Sequence, residues 1–357
     1  MKISTMKNLK TNARDVDLSF SWKWYLKDLQ PDKSVNVFST FSCGGGSTMG
    51  YKRAGFHVLG NVELDKAINA MYVKNHHPKY NFNMDLRDFN NLSDLPDELY
   101  NLDILDGSPP CSTFSMAGQR EKGWNVEKKF REGQKKQRLD DLFFVFLDTV
   151  AKLKPKIVIA ENVVGIINGN AKGYVNEIIK KFHDLGYEVQ IFNLNAASME
   201  VPQSRRRIFF IANNQKYPKL KLAFDYPVIR FGEVRTEHGK PFANEDSEAK
   251  SLLEIARSSD KSLCDIKVRL GLKYSSFTHR IVSDDDICPC NVSNGNQYRL
   301  FDRLYFSDGD FVNTQTFPQD YDFCGNSVQY ICGMSVPPNM MAHIASQIYE
   351  QWIIFTL

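Results

Sequence analysis

Short apolar runs alternate with amphipathic stretches from residue 34 to residue 212. The runs that predict strands lie at 35–41, 58–62, 103–106, 157–160, 187–194 and 207–212. Helical spacing of apolar residues lies at 48–54, 142–153 and 175–185. Strands that alternate with helices in this way are typical of a parallel α/β sheet. The pattern therefore predicts a Rossmann-like, doubly wound α/β fold.

The alternation ends after residue 212, and the chain becomes irregular and rich in proline turns until about residue 303. Helical spacing returns at 340–354, and we expect this segment to pack back onto the sheet. The predicted organisation is an N-terminal arm at 1–33, a sheet domain formed by 34–212 together with 304–357, and a second, smaller domain at 213–303.

Composition and charge narrow the class of protein. The 357 residues include 45 Lys and Arg against 42 Asp and Glu, a net charge of +3. That balance excludes a polycationic packaging protein but permits a local basic groove. No apolar run approaches the roughly 18 residues of a membrane helix, and no secretory signal is visible. Seven cysteines without regular spacing favour a reducing compartment. We expect a cytoplasmic monomer with no membrane association.

A glycine turn follows the first predicted strand. Gly44, Gly45 and Gly46 lie between that strand and a helix, Glu63 follows the second strand, and Asp85 lies further along. A carboxylate at a strand end can accept both hydroxyl protons of a ribose, so the arrangement favours a ligand that contains adenosine. Neither a dinucleotide fingerprint nor a phosphate-binding loop is present. An ordinary surface turn with a solvated Glu63 is the competing interpretation.

Candidate catalytic residues lie at the ends of later strands. Cys111 follows two prolines that restrict the backbone, as suits a nucleophile, although a free cysteine is also a common buried apolar residue. Glu161 ends the next strand and could donate a proton, or it could cap a helix. Arg205 and Arg207 share one face of a strand-like run, which is also compatible with a solvated face.

Taken in order, these motifs resemble the DNA (cytosine-5)-methyltransferases. The resemblance covers about residues 34–345 and leaves 213–300 unmatched. The residues that carry it are Phe41-x-Cys-Gly-Gly-Gly, Glu63, Pro110-Cys111, Glu161-Asn162-Val163, Gln203-x-Arg205-x-Arg207 and Gly333-Met334-Ser335-Val336-Pro337-Pro338.

The resemblance implies S-adenosylmethionine as cofactor and double-stranded DNA as substrate, with 213–303 as the target-recognition domain. Cys111 would attack carbon 6 of a cytosine rotated out of the duplex, Glu161 would protonate ring nitrogen 3, and Arg205 and Arg207 would orient the base and its phosphates. The implied cofactor residues are Phe41, Cys43, Gly45, Gly46, Glu63, Leu64, Asp85, Pro110, Ser335 and Val336. The implied nucleic-acid contacts are Ser112, Gln119, Arg120, Asn162 and Gln203. The resemblance also implies a possible partner, a cognate restriction endonuclease that acts separately.

Three residues depart from the family pattern: Cys43 stands where a first glycine is usual, Ser112 where Gln is frequent, and Met334 where Asn is usual. None of them is the implied nucleophile, acid or ribose carboxylate. The segment from 112 to 140 is rich in Lys, Arg and Gly, which suits a loop that closes over a nucleic-acid backbone.

Other functions stay open at this point. The nearest alternative is a tRNA cytosine-5 methyltransferase, and a second is a non-catalytic nucleic-acid-binding relative. Cys288 and Cys290, with Cys264 and His279 along the chain, lack the spacing of two Cys-x-x-Cys knuckles, so we predict no metal site.

Overall fold

The structure is a computed structural model and describes residues 20–110, 142–167, 172–244, 247–273 and 279–355. Its strands are β1 (Asn36–Thr40), β2 (His57–Val62), β3 (Tyr80–Phe82), β4 (Ile104–Gly107), β5 (Ile157–Val163), β6 (Glu188–Asn195), β7 (Gln203–Ser204), β8 (Arg206–Asn213), β9 (His279–Val282), β10 (Cys288–Pro289) and β11 (Asn296–Arg299). Its α-helices are α1 (Gly46–Arg53), α2 (Lys66–His76), α3 (Leu86–Asn91), α4 (Leu142–Leu153), α5 (Lys172–Asp184), α6 (Phe231–Val234), α7 (Glu248–Glu254), α8 (Leu263–Arg269), α9 (Asp308–Gln315), α10 (Val328–Met334) and α11 (Pro338–Ile348).

Seven strands form the central sheet in the order β3-β2-β1-β4-β5-β8-β6. The first five strands pair in parallel, and β8 runs antiparallel to both β5 and β6. This topology confirms the predicted Rossmann-like α/β fold, and all six predicted strands and three predicted helices of this region are present. The prediction missed β3, α2 and α3; β3 has only three residues and α3 only six.

Helices cover both faces of the sheet. On one face, Phe146 of α4 and Phe182 of α5 belong to an apolar core with the inward side chains of the strands. On the other face, Tyr51 of α1 and Ile344 of α11 belong to a second core. The expected return of the 340–354 segment onto the sheet is confirmed, with a π-helical turn at Tyr349–Ile353 that places Trp352 in the second core.

Part of the predicted second domain packs on this sheet. Tyr217 stacks on Trp352 with ring centroids 5.5 Å apart, and Leu220 belongs to the core beneath α11. Further along, α7, α8, β9 and β11 form a small core of their own around Leu253, Ile266 and Tyr298. The division of the chain into domains stays a prediction.

The described end of the N-terminal arm is attached to the body of the protein. The ring of Trp24 is buried, and its Nε1–H donates to the Thr316 carbonyl at 2.9 Å. The guanidinium of Arg53 lies 4.5 Å above the same ring. Trp24 therefore has a packing role, which leaves it unavailable for stacking on a base. Within the described ranges, no helix combines the length and apolar character needed to cross a membrane.

Candidate active site

A cavity of about 410 Å³ lies where β1, β2, β4 and β5 end, at the carboxyl edge of the sheet. This volume falls within the roughly 300–1,000 Å³ typical of small-molecule sites. Ligands of open α/β sheets bind at this edge because the loops that follow the strands converge there. Its lining includes most of the residues singled out from the sequence, namely Phe41, Cys43, Glu63, Leu64, Asp85, Pro110, Glu161, Asn162, Arg205 and Arg207.

The turn after β1 is built with an unusual backbone. Phe41 and Cys43 adopt positive φ angles of 51° and 46°, a region that side chains other than glycine rarely occupy. The Cys43 N–H donates to Glu63 Oε2 at 2.9 Å, which ties the turn to the end of β2. Burial, together with the negative charge of Glu63, raises the pKa of the Cys43 thiol to about 12. Cys43 thus preserves the turn and stays a neutral thiol.

The glycines of this turn are required by neighbouring protein groups. Gly45 has a φ of +75°, and a Cβ there would lie 2.1 Å from Nε2 of His76. A Cβ on Gly46 would lie 2.2 Å from the Val336 carbonyl oxygen. The sequence interpretation assigned these glycines to close approach of a ligand. The structure adds a second reason for them, since they also let His76 and the segment before α11 pack against the turn.

Glu63 is the acidic group of this part of the cavity. Its Oε1 accepts from the Asp65 N–H at 2.9 Å and its Oε2 from the Cys43 N–H, so the carboxylate is oriented before any ligand binds. Burial raises its pKa, although those backbone donors oppose the shift. Each carboxylate oxygen can accept a further hydrogen bond. Glu63 is therefore placed and oriented to receive a diol.

Leu64 and Asp85 lie beside Glu63 in the same cavity. The Leu64 side chain is 39% exposed and offers an apolar surface to a planar ring. Asp85 caps the N-terminus of α3 by accepting from the Arg87 N–H at 2.8 Å, and it also forms an ion pair with the Arg87 side chain at 3.2 Å. The sequence did not foresee these two roles for Asp85.

Glu161 and Arg207 form an ion pair at the other side of the cavity. Arg207 Nε lies 2.9 Å from Glu161 Oε1, and the two side chains are only 14% and 12% exposed. The pair exists because β8 runs antiparallel to β5, which sets Arg207 opposite Val163. A charge-assisted contact with little solvent around it holds the carboxyl group in one orientation.

Arg205 shares the cavity but is largely engaged by protein groups. Its guanidinium donates to the Gly333 carbonyl at 2.8 Å and to the Asn291 carbonyl at 3.0 Å. It is 2% exposed, and burial lowers its pKa. Arg205 and Arg207 both line the cavity as expected, and Arg206 between them is exposed. Arg205 thereby joins the 213–303 region to α10 directly at the cavity wall.

The two prolines before Cys111 also line the cavity, and Asn162 orients them. The Asn162 Nδ2–H donates to the Pro109 carbonyl at 3.1 Å, across the paired ends of β4 and β5. Asn162 is buried, so this contact holds the backbone of Pro109 in place at the end of β4. The predicted residues Cys111, Ser112, Gln119 and Arg120 lie outside the described residues.

Gln203 requires a correction. The sequence interpretation assigned it a nucleic-acid contact, but the side chain is fully buried. Its Nε2 donates to the Gln315 side chain at 2.7 Å and to the Thr314 carbonyl at 3.1 Å, and its Oε1 accepts from the Asn291 N–H at 2.9 Å. Every polar atom of the amide group is bonded to protein, because β7 lies under the end of α9 and beside β10. In this structure Gln203 is a positioning residue.

Cys290 is a cavity residue that the sequence interpretation missed. Its Sγ lies 3.4 Å from an Arg205 nitrogen, and it lines the same cavity as Glu161. Burial raises the pKa of the thiol, but the charges of Arg205 and Arg207 outweigh burial and leave the pKa below its usual value. Among the residues described, no three His, Cys, Asp or Glu side chains are grouped so as to hold a metal ion.

Comparison with known proteins decides the family. Residues 35–305 match the family model described as C-5 cytosine-specific DNA methylase. The chain belongs to this family. Membership makes the enzyme a DNA (cytosine-5-)-methyltransferase, of the kind found in type II restriction-modification systems.

Individual relatives agree with the family match. The enzyme is 34% identical over 346 residues to the type II methyltransferase M1.HphI of Haemophilus parahaemolyticus, covering 89% of this chain and 87% of that protein. It is 29% identical over 353 residues to M.Sau96I of Staphylococcus aureus, covering 90% and 77% of the two chains. The crystal structure of a DNMT2 mutant from Spodoptera frugiperda has the same fold, with a TM-score of 0.62 at 17% identity, covering 88% of this chain and 100% of that one.

The family implies S-adenosylmethionine as methyl donor, and the residues present fit it. Glu63 is oriented toward a diol, Leu64 offers an apolar surface, and the buried Ser335 Oγ has no nitrogen or oxygen partner in the part of the chain described and lies close to the Cys43 thiol. Ser335 lies with Val336 and Gly46 around a second, smaller cavity beside the glycine turn. A nucleoside that carries a polar tail matches this combination of groups.

Proposed function

We propose that the enzyme methylates carbon 5 of cytosine within a specific sequence of double-stranded DNA, through a covalent adduct of Cys111 with a base rotated out of the duplex. One observation carries this proposal most strongly. A single cavity is lined by the carboxyl group of Glu161, by Pro110 immediately before Cys111, and by Glu63, Leu64 and Asp85 of the nucleoside-binding side.

The proposed reaction begins with the thiolate sulfur of Cys111, which attacks carbon 6 of the cytosine. Glu161, the anionic partner of Arg207, must first take up a proton; it then donates that proton to ring nitrogen 3, and the electron density gained by the ring makes carbon 5 nucleophilic. S-Adenosylmethionine, when bound, supplies a methyl group on a positively charged sulfur. Once carbon 5 has taken the methyl group, a base removes the proton of carbon 5. Expulsion of the Cys111 sulfur as thiolate then restores the double bond, and ring nitrogen 3 returns its proton to Glu161.

The arginines support this assignment in different ways. Arg207 holds the Glu161 carboxyl group at 2.9 Å, so the proton donor has a defined position in the cavity. Arg205 maintains the wall against which a base would lie, through its bonds to Asn291 and Gly333. Enclosure of a base in such a cavity requires its rotation out of the duplex, because the reacting atoms are inaccessible in the stack.

The residues that would bind the cofactor are part of the same proposal. Glu63 would take the ribose hydroxyls, Leu64 would pack on the adenine, and Asp85 would receive the adenine amine. Phe41, Cys43, Gly46, Ser335 and Val336 would surround the amino-acid part, since all five line the smaller cavity. Recognition of the DNA sequence by the 213–303 region, action in the cytoplasm as a monomer, and a separate endonuclease partner remain predictions.

The test is methylation of duplex DNA and of tRNA side by side with labelled S-adenosylmethionine, followed by bisulfite sequencing. We expect 5-methylcytosine at one sequence context in DNA and none in tRNA. Duplex DNA with 5-fluorocytosine in that context should form a covalent complex, and Cys111→Ala should lose both activities while it still binds cofactor. Label in tRNA alone, or a Cys111→Ala variant that still methylates DNA, would refute the proposal.

A further inference from the structure

Asp106 is a buried carboxyl group that the proposed reaction does not use. It lies on β4, two residues along from Ile104 on the same face of the sheet, and it is 2% exposed. Its Oδ2 accepts from Ser39 Oγ at 2.8 Å and its Oδ1 from Tyr51 Oη at 3.0 Å. No ion pair joins it to a cationic side chain in the described ranges. A buried carboxylate without a cation is costly unless a positive charge arrives from elsewhere.

Asp106 borders the smaller cavity, whose volume is about 20 Å³. A space of this size takes one water molecule or a group of similar size. The cavity shares Phe41, Cys43, Ser108 and Met334 with the larger one, so the two adjoin. The buried Ser335 Oγ, which has no nitrogen or oxygen partner among the described residues and lies close to the Cys43 thiol, is in the same lining. A carboxyl group and a hydroxyl group, which can accept and donate hydrogen bonds respectively, therefore line one small cavity beside the glycine turn.

We propose that Asp106 binds the α-ammonium group of the cofactor's amino-acid part, while the Ser335 hydroxyl donates to the neighbouring α-carboxylate. This inference rests on the proposed cofactor site and adds a charged partner that the sequence interpretation did not include. S-Adenosylmethionine carries an ammonium group at the end of its amino-acid part. The ammonium supplies the cation that Asp106 otherwise lacks, and Ser39 and Tyr51 hold the carboxylate in place to receive it.

Electrostatics in the cavity support this assignment and make it measurable. Burial raises the pKa of Asp106 to about 7, against the opposing hydrogen bonds of Ser39 and Tyr51, and the charge of Glu161 raises it further. The other titratable groups around it are Tyr51 of α1, Tyr72 of α2 and Cys43 of the turn, and burial raises the pKa of each. These three therefore stay neutral near pH 7.

A bound cation favours the ionised form of Asp106 and lowers its pKa. By linkage, cofactor binding releases protons near pH 7, and affinity increases as pH rises through that value. Below pH 7 the protonated carboxyl must first ionise, so affinity decreases as pH falls.

The test is calorimetric titration of the whole enzyme with S-adenosylhomocysteine, which keeps the ammonium group and transfers no methyl group. We expect Asp106→Asn to weaken this binding about ten- to a hundredfold, the effect of losing a charge-assisted hydrogen bond. 5′-Methylthioadenosine lacks the amino-acid part, and its affinity should be the same for both proteins. Proton release at pH 7, measured in buffers of different ionisation enthalpy, should disappear in the variant.

The matched control is Asp103→Asn, just before the same strand, where the carboxylate contacts Asn36 and Lys156 and lines neither cavity. It should bind both ligands as the parent enzyme does. Equal affinity of parent and Asp106→Asn for S-adenosylhomocysteine, or equal loss for both ligands, would overturn the inference. A parent enzyme that binds neither ligand would refute the proposed cofactor site itself.

If Asp106→Asn fails to fold, Ser39→Ala provides a second test. It keeps the carboxylate but removes a hydrogen bond that favours ionisation, so the pH midpoint for binding S-adenosylhomocysteine should move upward. An unchanged midpoint would count against Asp106 as the titrating group.

Discussion

At the scale of single residues, the site depends on two carboxyl groups with different surroundings. Glu161 has a cationic partner, Arg207, at 2.9 Å. Asp106 is more deeply buried and has only hydroxyl donors, from Ser39 and Tyr51. Different environments of this kind give neighbouring carboxyl groups different roles. We assign proton exchange with ring nitrogen 3 to the first, which must take up the proton before it can donate it, and cation binding to the second.

The role of Glu161 predicts a selective loss of turnover. Glu161→Gln keeps the shape of the side chain but cannot donate the proton, so we expect the methylation rate to decrease about 10²–10⁴-fold. S-Adenosylhomocysteine affinity should change less than about threefold, because this side of the cavity faces the base. Single-turnover methylation and calorimetric titration measure the two quantities. Glu188→Gln, on the exposed side of β6, is the control, and a similar rate loss there would show a non-specific effect.

The buried state of Asp106 predicts an effect on stability without cofactor. Its folded pKa of about 7 lies above the ordinary value of 3.8, so between these values the folded state holds more protons and stability decreases as pH rises. Asp106→Asn removes this dependence. The melting temperature of the variant minus that of the parent should therefore be a few degrees higher at pH 8 than at pH 5. Thermal unfolding at the two pH values tests this, and an equal difference at both would contradict it.

At the scale of elements, the turn between β1 and α1 is where backbone conformation and packing both restrict the sequence. Gly45 needs a positive φ and also must leave room for His76, whereas Gly186 needs only a positive φ, since nothing lies within 4 Å of its Cβ position. Alanine in place of Gly186 therefore introduces backbone strain alone, whereas alanine in place of Gly45 introduces backbone strain and a steric clash.

This contrast predicts different effects of alanine. Gly186→Ala should reduce the free energy of unfolding by about 1 kcal/mol, the cost of left-handed backbone. Gly45→Ala adds displacement of the His76 ring, so we expect a reduction of roughly 2–4 kcal/mol and weaker cofactor binding. Denaturant unfolding measures both variants. Equal decreases in the free energy of unfolding for the two variants would mean that the turn and the His76 ring move apart without a cost in stability.

At the scale of the whole molecule, distant segments build the cavity wall. Arg205 bonds to Asn291 in the irregular region and to Gly333 in α10, and Gln203 bonds to α9 and to Asn291. The cavity lies between the end of the sheet and this region, since Cys290 and Asn291 line it together with Glu161. The net charge of only +3 means that attraction for DNA must come from local basic residues.

Binding of DNA should therefore depend on salt, and binding of cofactor should not. With two or more phosphate contacts, raising salt from about 50 to about 200 mM should weaken duplex binding more than tenfold. The affinity for S-adenosylhomocysteine should stay within about twofold, because its polar contacts are buried. Fluorescence anisotropy and calorimetry at the two salt concentrations measure these effects. A duplex affinity that does not change between the two salt concentrations would argue against an interface dominated by phosphate contacts.

The sequence by itself determined the strands, the class of fold and the family, for a local physical reason. Hydrophobic period and turn residues act over a few positions, so β1, β2, β4, β5, β6 and β8 could be located within a few residues. Glu63 and Glu161 directly follow apolar strand segments, and parallel strands bring such ends to one edge. Both side chains line the same cavity in the structure.

Only the tertiary structure decided how the side chains are used. The antiparallel insertion of β8 pairs Arg207 with Glu161, the contact of β7 with α9 turns Gln203 inward, and β10 brings Cys290 to Arg205. The packing of α1 on the sheet gives Asp106 its Tyr51 donor and places its carboxyl group at the small cavity. Each contact joins segments far apart along the chain, and no local pattern encodes such contacts, because burial and charge pairing arise only when the elements pack.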